Sequence, residues 1–494
     1  MRHHPFTKLA SIFVVCLMTF SSAAFADEAQ LMDMVRNMQK QMNDLQSTVM
    51  AQKAEIDALK NRPANIQMGA GATNPEVTPP MSEAEFGQRL SDATGGANKW
   101  LKDLKFSGDL RLRYEAFHLK TAANNGYEPN RNRFRFRLRY GFEKTFNPEM
   151  KVGFSMASGD KAVSTGYNGD PISTNQTLGN NFDFKNIWIE KAYATYTPEW
   201  AKVGPISGFE TTAGKFNNPF EKGSTDMIWD RDLKPEGIYE KVDVKLLDTE
   251  SFDLKAYLTT GQLVLSESGN TGTKDATLFA YQAGLNPVFY VPGFERPVDA
   301  LSAISVYSYQ HYAKQPYDSY VPTASTGTSM ANGNITNTTP AGTLNAGHFN
   351  ILAFYQEVAF YPYGIPVRPF AEFAHNMDNK STLMTDSGSD AWSLGVALGK
   401  LVKKKDWQAS YQYKYIGANS VPGAFNDSDF GGYNYGGTNK QGHVFKLGYN
   451  VTDYLTANAA YFLVDPISTR GSTANGFQLN EGVNRFQIDM TYKF

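Results

Sequence analysis

The sequence predicts an all-β transmembrane fold: an antiparallel outer-membrane β-barrel of about 16 strands, preceded by a short α-helical coiled coil. Three observations carry this prediction. First, residues 133–142 alternate, so that Phe134, Phe136, Leu138, Tyr140 and Phe142 share one face of a strand and Arg133, Arg135, Arg137 and Arg139 the other. Four like charges stacked on one face are costly unless water or acids screen them, and a wall between lipid and a wet lumen accommodates both faces. Second, the connections between candidate strands alternate between short and long, as periplasmic turns and outer loops do. Third, the chain ends on an alternating strand, with Phe486, Ile488, Met490, Tyr492 and Phe494 on one face and Arg485, Gln487, Asp489, Thr491 and Lys493 on the other.

In chain order, residues 1–26 read as a signal peptide. Arg2 and Lys8 precede the short apolar run Leu9–Phe20, and Ala24-Phe25-Ala26 is a small-x-small cleavage site. The run is too short to span a bilayer. Cys16, the only cysteine, lies inside it, so the remainder needs no disulfide. Residues 27–60 carry a heptad seam of Leu31, Val35, Met38, Met42, Leu45, Val49, Ile56 and Leu59, interrupted by Gln52. This predicts a periplasmic coiled coil about 45 Å long. Residues 61–103 are a Pro/Gly-rich linker with one short helix, Ser82 as its N-cap and Glu85 three residues on.

The barrel is expected over 104–494. Its sixteen strands are read at 104–118, 131–146, 149–158, 185–198, 208–217, 237–247, 251–263, 276–286, 300–312, 349–361, 367–376, 390–402, 405–416, 441–450, 453–464 and 483–494. An even count puts both barrel ends in the periplasm. The first strand turns Leu104, Phe106, Leu110, Leu112 and Tyr114 outward, and Lys105, Asp109, Arg111, Arg113 and Glu115 inward. Arg111, Arg113, Arg133, Arg135, Arg137 and Arg139 are then candidate pore-lining residues. The third outer loop carries Glu221, Asp226, Asp230 and Asp232 around Trp229. Its place resembles that of the third outer loop of general porins, which folds into the barrel with its acids facing basic wall residues, and this resemblance makes it the candidate constriction loop.

Composition agrees. The chain holds 33 Phe, 27 Tyr and 42 Gly, a load of aromatics and turn formers suited to a two-faced sheet. Removing the leader's two basic residues from 47 leaves 45 against 49 acidic ones, a balance that speaks against nucleic-acid binding. The scattered histidines show no metal-ligand spacing, and there is no Gly-x-Ser-x-Gly nucleophile turn, so no enzyme activity, metal or cofactor is expected.

Several motifs in order resemble the bacterial putative-porin family. They are Gly108-Asp109-Leu110-Arg111-Leu112-Arg113-Tyr114, the Arg133–Gly141 ladder, Ser158-Gly159-Asp160, Asn175-Gln176-Thr177-Leu178, Ala192-Tyr193, Gly214-Lys215-Phe216-Asn217-Asn218-Pro219-Phe220 and Trp229-Asp230-Arg231-Asp232 with Glu236-Gly237. The resemblance implies a water-filled outer-membrane channel for passive diffusion of small polar solutes and ions, and a homo-trimer. The terminal strand ending in Phe494 resembles the signature that barrel assembly machinery recognises, and lipid surrounds the barrel. Two alternatives stay open: a substrate-selective channel for anions, phosphate or sugars, and a structural anchor that contacts peptidoglycan through the coiled coil.

Overall fold

The computed structural model describes residues 103–119, 130–160, 169–179, 181–267, 274–312, 328–331, 334–337, 348–379, 388–431, 437–467 and 482–494. The signal peptide, coiled coil and the linker up to residue 102 lie outside the described residues. The barrel strands are β1 (Leu104–Leu119), β2 (Asn130–Asn147), β3 (Met150–Ser158), β4 (Ile187–Tyr196), β5 (Ile206–Lys215), β6 (Glu236–Asp248), β7 (Phe252–Ser266) and β8 (Ala276–Phe289). The second half is β9 (Val298–Gln310), β10 (Asn350–Ala359), β11 (Val367–Asn376), β12 (Asp390–Gly399), β13 (Trp407–Ile416), β14 (Lys440–Asn450), β15 (Leu455–Pro466) and β16 (Val483–Lys493).

Each strand pairs antiparallel with its neighbours in sequence, and β16 pairs with β1 from Lys493↔Asp109 to Val483↔Leu119. The ring is thereby closed, which removes the open edges that lipid cannot hydrogen-bond. The sheet counts 17 strands because the two-residue strand Gln176–Thr177 adds to β2 from inside a loop; without it the barrel has the sixteen expected. A separate hairpin, Thr328–Ala331 with Asn334–Asn337, lies in the connection after β9 and was not expected. Boundaries shift by a few residues. The strand expected over 390–402 stops at Gly399, whose φ of +75° turns the chain out of the sheet.

Alternation decides which face each residue takes. Phe106, Leu112, Phe134, Phe354, Leu394, Leu447 and Ile488 are exposed on the outside. At those depths the neighbour is lipid, so exposure of these side chains is expected. Bulges locally break the alternation, and one of them shapes the inner wall: opposite β3, Lys191 pairs with Ser155 and Ile189 with Met156, so Glu190 is the extra residue. Ile187 and Ile189 point outward before it, and Glu190 turns inward, where it accepts a hydrogen bond from Ser155 at 2.8 Å.

The apolar core lies inside the barrel, at its long-loop end. Tyr307 and Tyr309 of β9, Ile351 of β10, Ile416 of β13 and Phe462 of β15 are buried under the third and seventh long loops, 216–235 and 417–439.

Candidate functional site

Strand register builds the basic wall. Asp109 stands opposite Arg139, Arg111 opposite Arg137, Arg113 opposite Arg135, and Glu115 opposite Arg133. The two middle pairs, Arg111 with Arg137 and Arg113 with Arg135, set like charges face to face, an arrangement that is stable only with compensating acids. The acids are present. Arg137 and Arg139 share Asp109 at 2.8 and 2.7 Å. Arg113 meets Asp489 at 2.7 Å and Asp429 at 3.1 Å. Arg133 and Arg135 both engage Glu115, and Arg135 also reaches Asp160 at 3.4 Å. Arg111 hydrogen-bonds Asn175 at 2.6 Å and stands 4.0 Å from Asp489. Arg113, Arg135 and Arg137 are buried, whereas Arg111, Arg133 and Arg139 keep partial exposure.

The third long loop leaves β5 and runs inward. Its 3-10 turn, Glu221–Gly223, sits against β8, where the Gln282 amide donates to the Phe220 carbonyl at 2.9 Å. Farther on, Ser224 and Thr225 donate to Glu372 of β11. Asp226 then meets Lys414 of β13 at 2.6 Å, and Asp232 returns to Arg137 and Arg139 of β2 at 3.7 and 3.5 Å. Because β11 stands seven places from β2 around a ring of sixteen, the loop crosses the lumen. Phe216, Phe220, Met227, Ile228, Trp229 and Leu233 hold it there, all buried. At roughly 1.5–3 kcal/mol for each large apolar side chain, their burial is an upper-bound gain on the order of 10 kcal/mol, which offsets part of the cost of ordering the loop.

The seventh long loop completes the site. The Asp230 amide donates to the Phe425 carbonyl at 2.7 Å, and Asp427 donates to the Asp226 carbonyl at 3.0 Å. Trp229 stacks on Phe425 with centroids 6.3 Å apart. Lys414 lies between Asp226 and Asp427, at 2.6 and 2.7 Å. Burial alone would raise the Asp226 carboxyl, but Lys414 beside it, with Lys446 and Arg231, holds it well below the usual carboxylate range. Asp230 differs: burial, with Asp232 and Asp427 adjacent, pushes its carboxyl well above that range. Asp232 is lowered, since Arg137, Arg111 and Arg139 outweigh its burial.

Residues 121–345 and 345–494, most of the chain, match the family model described as Putative porin. The chain belongs to this porin family. This porin is therefore an outer-membrane channel, and its fold is the barrel just described. No curated protein matches it. Among solved structures it is similar to OprB of Pseudomonas putida, at 12% identity over 81% of this chain and 97% of that one, with a TM-score of 0.45. It is also similar to Salmonella typhi OmpF in complex with daunomycin, at 9% identity over 79% and 97% of the two chains, TM-score 0.41. A third is in-vitro folded OmpT of Vibrio cholerae in its trimer form, at 12% identity over 79% and 99%, TM-score 0.36. Nothing about solute or assembly passes from these three to this porin.

Of the expected site residues, the structure brings the six arginines together with Asp232. Asp226 and Asp230 face the seventh loop and β13 instead, and Glu221 stays exposed, with no ion pair among the described residues. Sequence reading missed Arg485, which sits on β16 opposite Phe117 and reaches Glu115 at 2.6 Å and Asp429 at 2.7 Å. Its signal was its place on the inward face of a strand that pairs with β1. It also missed Glu190, 3.6 Å from Arg139; the signal was the shift from Ile187 and Ile189 to Ala192 and Ala194 as outward residues. The arginines, now seven with Arg485, are met by seven carboxylates, Asp109, Glu115, Asp160, Glu190, Asp232, Asp429 and Asp489.

Proposed function

We propose that this porin passes small polar solutes and ions by passive diffusion, with its constriction between the arginine wall and the acidic third loop. The observation that carries this reading is the course of the third loop, from Glu372 on β11 to Arg137 and Arg139 on β2. A loop across the lumen limits solute size. The seven paired arginines and their seven carboxylates cancel formally, so these charges discriminate weakly, through fields between neighbours. Arg135→Ala and Arg137→Ala each leave carboxylates short of a partner. The expected outcome in planar bilayers is a shift of ion selectivity towards cations. Unchanged selectivity in both variants would sink the constriction reading, and liposome swelling with a sugar series would separate general diffusion from a sugar-specific channel.

The N-terminal reading belongs to the same proposal: cleavage after Ala26, then a periplasmic coiled coil over 27–60. So does assembly as a homo-trimer. One strip of the outer surface supports the trimer. On β4 to β7 the outward residues include Ala192, Ala194, Thr211, Ala213, Glu240 and Thr260, and Thr260 donates to Glu240 at 2.7 Å. Small side chains let a second barrel approach closely, and a carboxylate facing hydrocarbon is costly without a polar partner.

A further inference from the structure

The paired arginine wall raises the question of where this porin keeps fixed charge without a direct ion-pair partner. Two lysines answer to that description. Lys222 lies in the 3-10 turn of the third loop, with its Nζ 4.5 Å from the centroid of the Tyr257 ring. Lys255 precedes Tyr257 by two residues on β7 and so shares its inward face. Neither makes an ion pair among the described residues. Their surroundings are built from named neighbours. Register places Asp243 of β6 opposite Tyr257, Lys241 opposite Thr259, and Asn286 of β8 opposite Lys255. Lys241 is paired with Asp243 at 3.0 Å. Glu210 of β5, opposite Lys241, accepts a hydrogen bond from Tyr239 at 2.5 Å. Lys245, opposite Lys255, is taken by Asp248. Around the turn, Lys222, Lys241, Lys245 and Lys255 share this inner face with Glu210, Asp243, Asp248 and Asp253, the last accepting a hydrogen bond from Tyr290 at 3.0 Å, while Glu221 of the turn lies towards Lys234 and Arg231. Formal charge balances, and Lys222 and Lys255 are set apart by making no ion pair among the described residues.

The turn that carries Lys222 is held firmly. Tyr257 donates to Gln282 at 2.9 Å, and Gln282 donates to the carbonyls of Phe220 and Gly223 at 2.9 and 3.3 Å. A Cβ on Gly223 would come within 2.5 Å of the Ala303 side chain and 2.8 Å of the Tyr257 hydroxyl, so the turn lies flat on the wall and only glycine fits. Burial lowers the Lys222 ammonium, and Lys241 and Lys255 lower it further against the opposing pull of Asp243. The ammonium therefore feels the other two lysines across this part of the lumen.

We propose that Lys222 and Lys255 are the anion-selecting groups of this porin, acting as successive contacts for small inorganic or carboxylate anions moving along the third loop. Ammonium groups are compact, hydrated point charges, which suits contacts that attract an anion and release it again. The inference rests on the channel reading above. It is tested on the full-length protein in planar bilayers, by reversal potentials in a KCl gradient. The expected result is that the wild type prefers chloride, and that the Lys222→Gln/Lys255→Gln double variant conducts with the chloride-to-potassium permeability ratio reduced several-fold. The charge-keeping Lys222→Arg variant is expected to retain wild-type preference. The preference is also expected to fade at high salt, where the Debye length falls to about 3 Å at 1 M. An unchanged ratio in the double variant, or a cation-preferring wild type, overturns the lysine assignment and leaves the channel standing. A wild type that carries no current overturns the channel reading itself.

Discussion

Lys414 shows how much one buried charge can hold in this molecule. Its ammonium is fully buried between Asp226 of the third loop and Asp427 of the seventh, with the Phe430 ring 4.9 Å away. Removing one partner of a buried ion pair leaves the others charged and unsolvated, at a cost of about 3–5 kcal/mol. Lys414→Met is therefore expected to lower the thermal midpoint and to loosen both loops, which limited proteolysis of the folded barrel would reveal. The pH dependence follows from Asp226. Its folded pKa lies below the ordinary value, so its contribution is present above the usual carboxylate range and is lost as pH falls through the lowered pKa. In Lys414→Met the same carboxylate loses its main partner and takes up a proton in mild acid. The stability gap between wild type and variant is expected to be widest near neutral pH and to narrow below about pH 4. A gap that is constant with pH would remove Asp226 as the origin. Arg485 teaches the same lesson from the wall: its guanidinium donates to the carbonyls of Ser428 and Asp429 and binds the Asp429 carboxylate, so the seventh loop is pinned from β16.

At the scale of the element, strands β7 and β8 fit together by a ring over a glycine. A Cβ built on Gly284 would lie 2.1 Å from the Tyr257 ring, directly across the pair. Gly153 relates to Tyr193 in the same way on β3 and β4, with 2.3 Å to the ring. Each glycine is a slot that lets an aromatic ring lie flat along the inner wall. Gly284→Val is expected to displace Tyr257, at about 1–3 kcal/mol for the forced repacking. Because Tyr257 supports Lys222, the variant is also expected to change channel selectivity, whereas Gly153→Val is expected to cost stability alone. Bilayer reversal potentials on the two variants separate these outcomes. The strands themselves were legible in the sequence because alternation has a period of two and the outward positions are apolar. The inward course of the third loop was less so, although Met227, Ile228 and Trp229 are an odd choice for a loop in water. The part played by the seventh loop was not legible, since Phe425, Asp427 and Asp429 have no pattern until β13, β14 and β16 are curled round to meet β1.

For the whole molecule, closure and assembly matter most. The Gly108 amide donates to the Phe494 carbonyl at 2.8 Å and the Phe494 amide to the Gly108 carbonyl at 3.1 Å, so the last residue seals the ring onto the first strand. The outer belt of exposed Phe, Leu and Trp covers most of the circumference, and the strip on β4 to β7 stands apart from it through its alanines, threonines and Glu240. If that strip meets a second copy, Ala213→Trp is expected to convert oligomers to monomers that still insert and conduct. Leu394→Trp, on the aromatic belt of β12, is expected to leave assembly unchanged. Native gel or light-scattering mass in mild detergent reads both. Oligomers unaffected by Ala213→Trp would move the interface elsewhere, and a monomeric wild type would remove the trimer altogether.

By itself the sequence determined the class of fold, the sixteen strands, their inward and outward faces and the arginine-rich wall, because each of these depends on neighbours two residues apart or on the length of a connection. The tertiary structure alone decided which charge meets which. Pairing of β1 with both β2 and β16 gathers Arg113, Glu115, Arg135 and Arg485 from distant parts of the chain. The third and seventh loops then bring Asp232 and Asp429 to the same wall. Charge balance in a lumen is a property of distances across the ring, and those distances exist only once the barrel has closed.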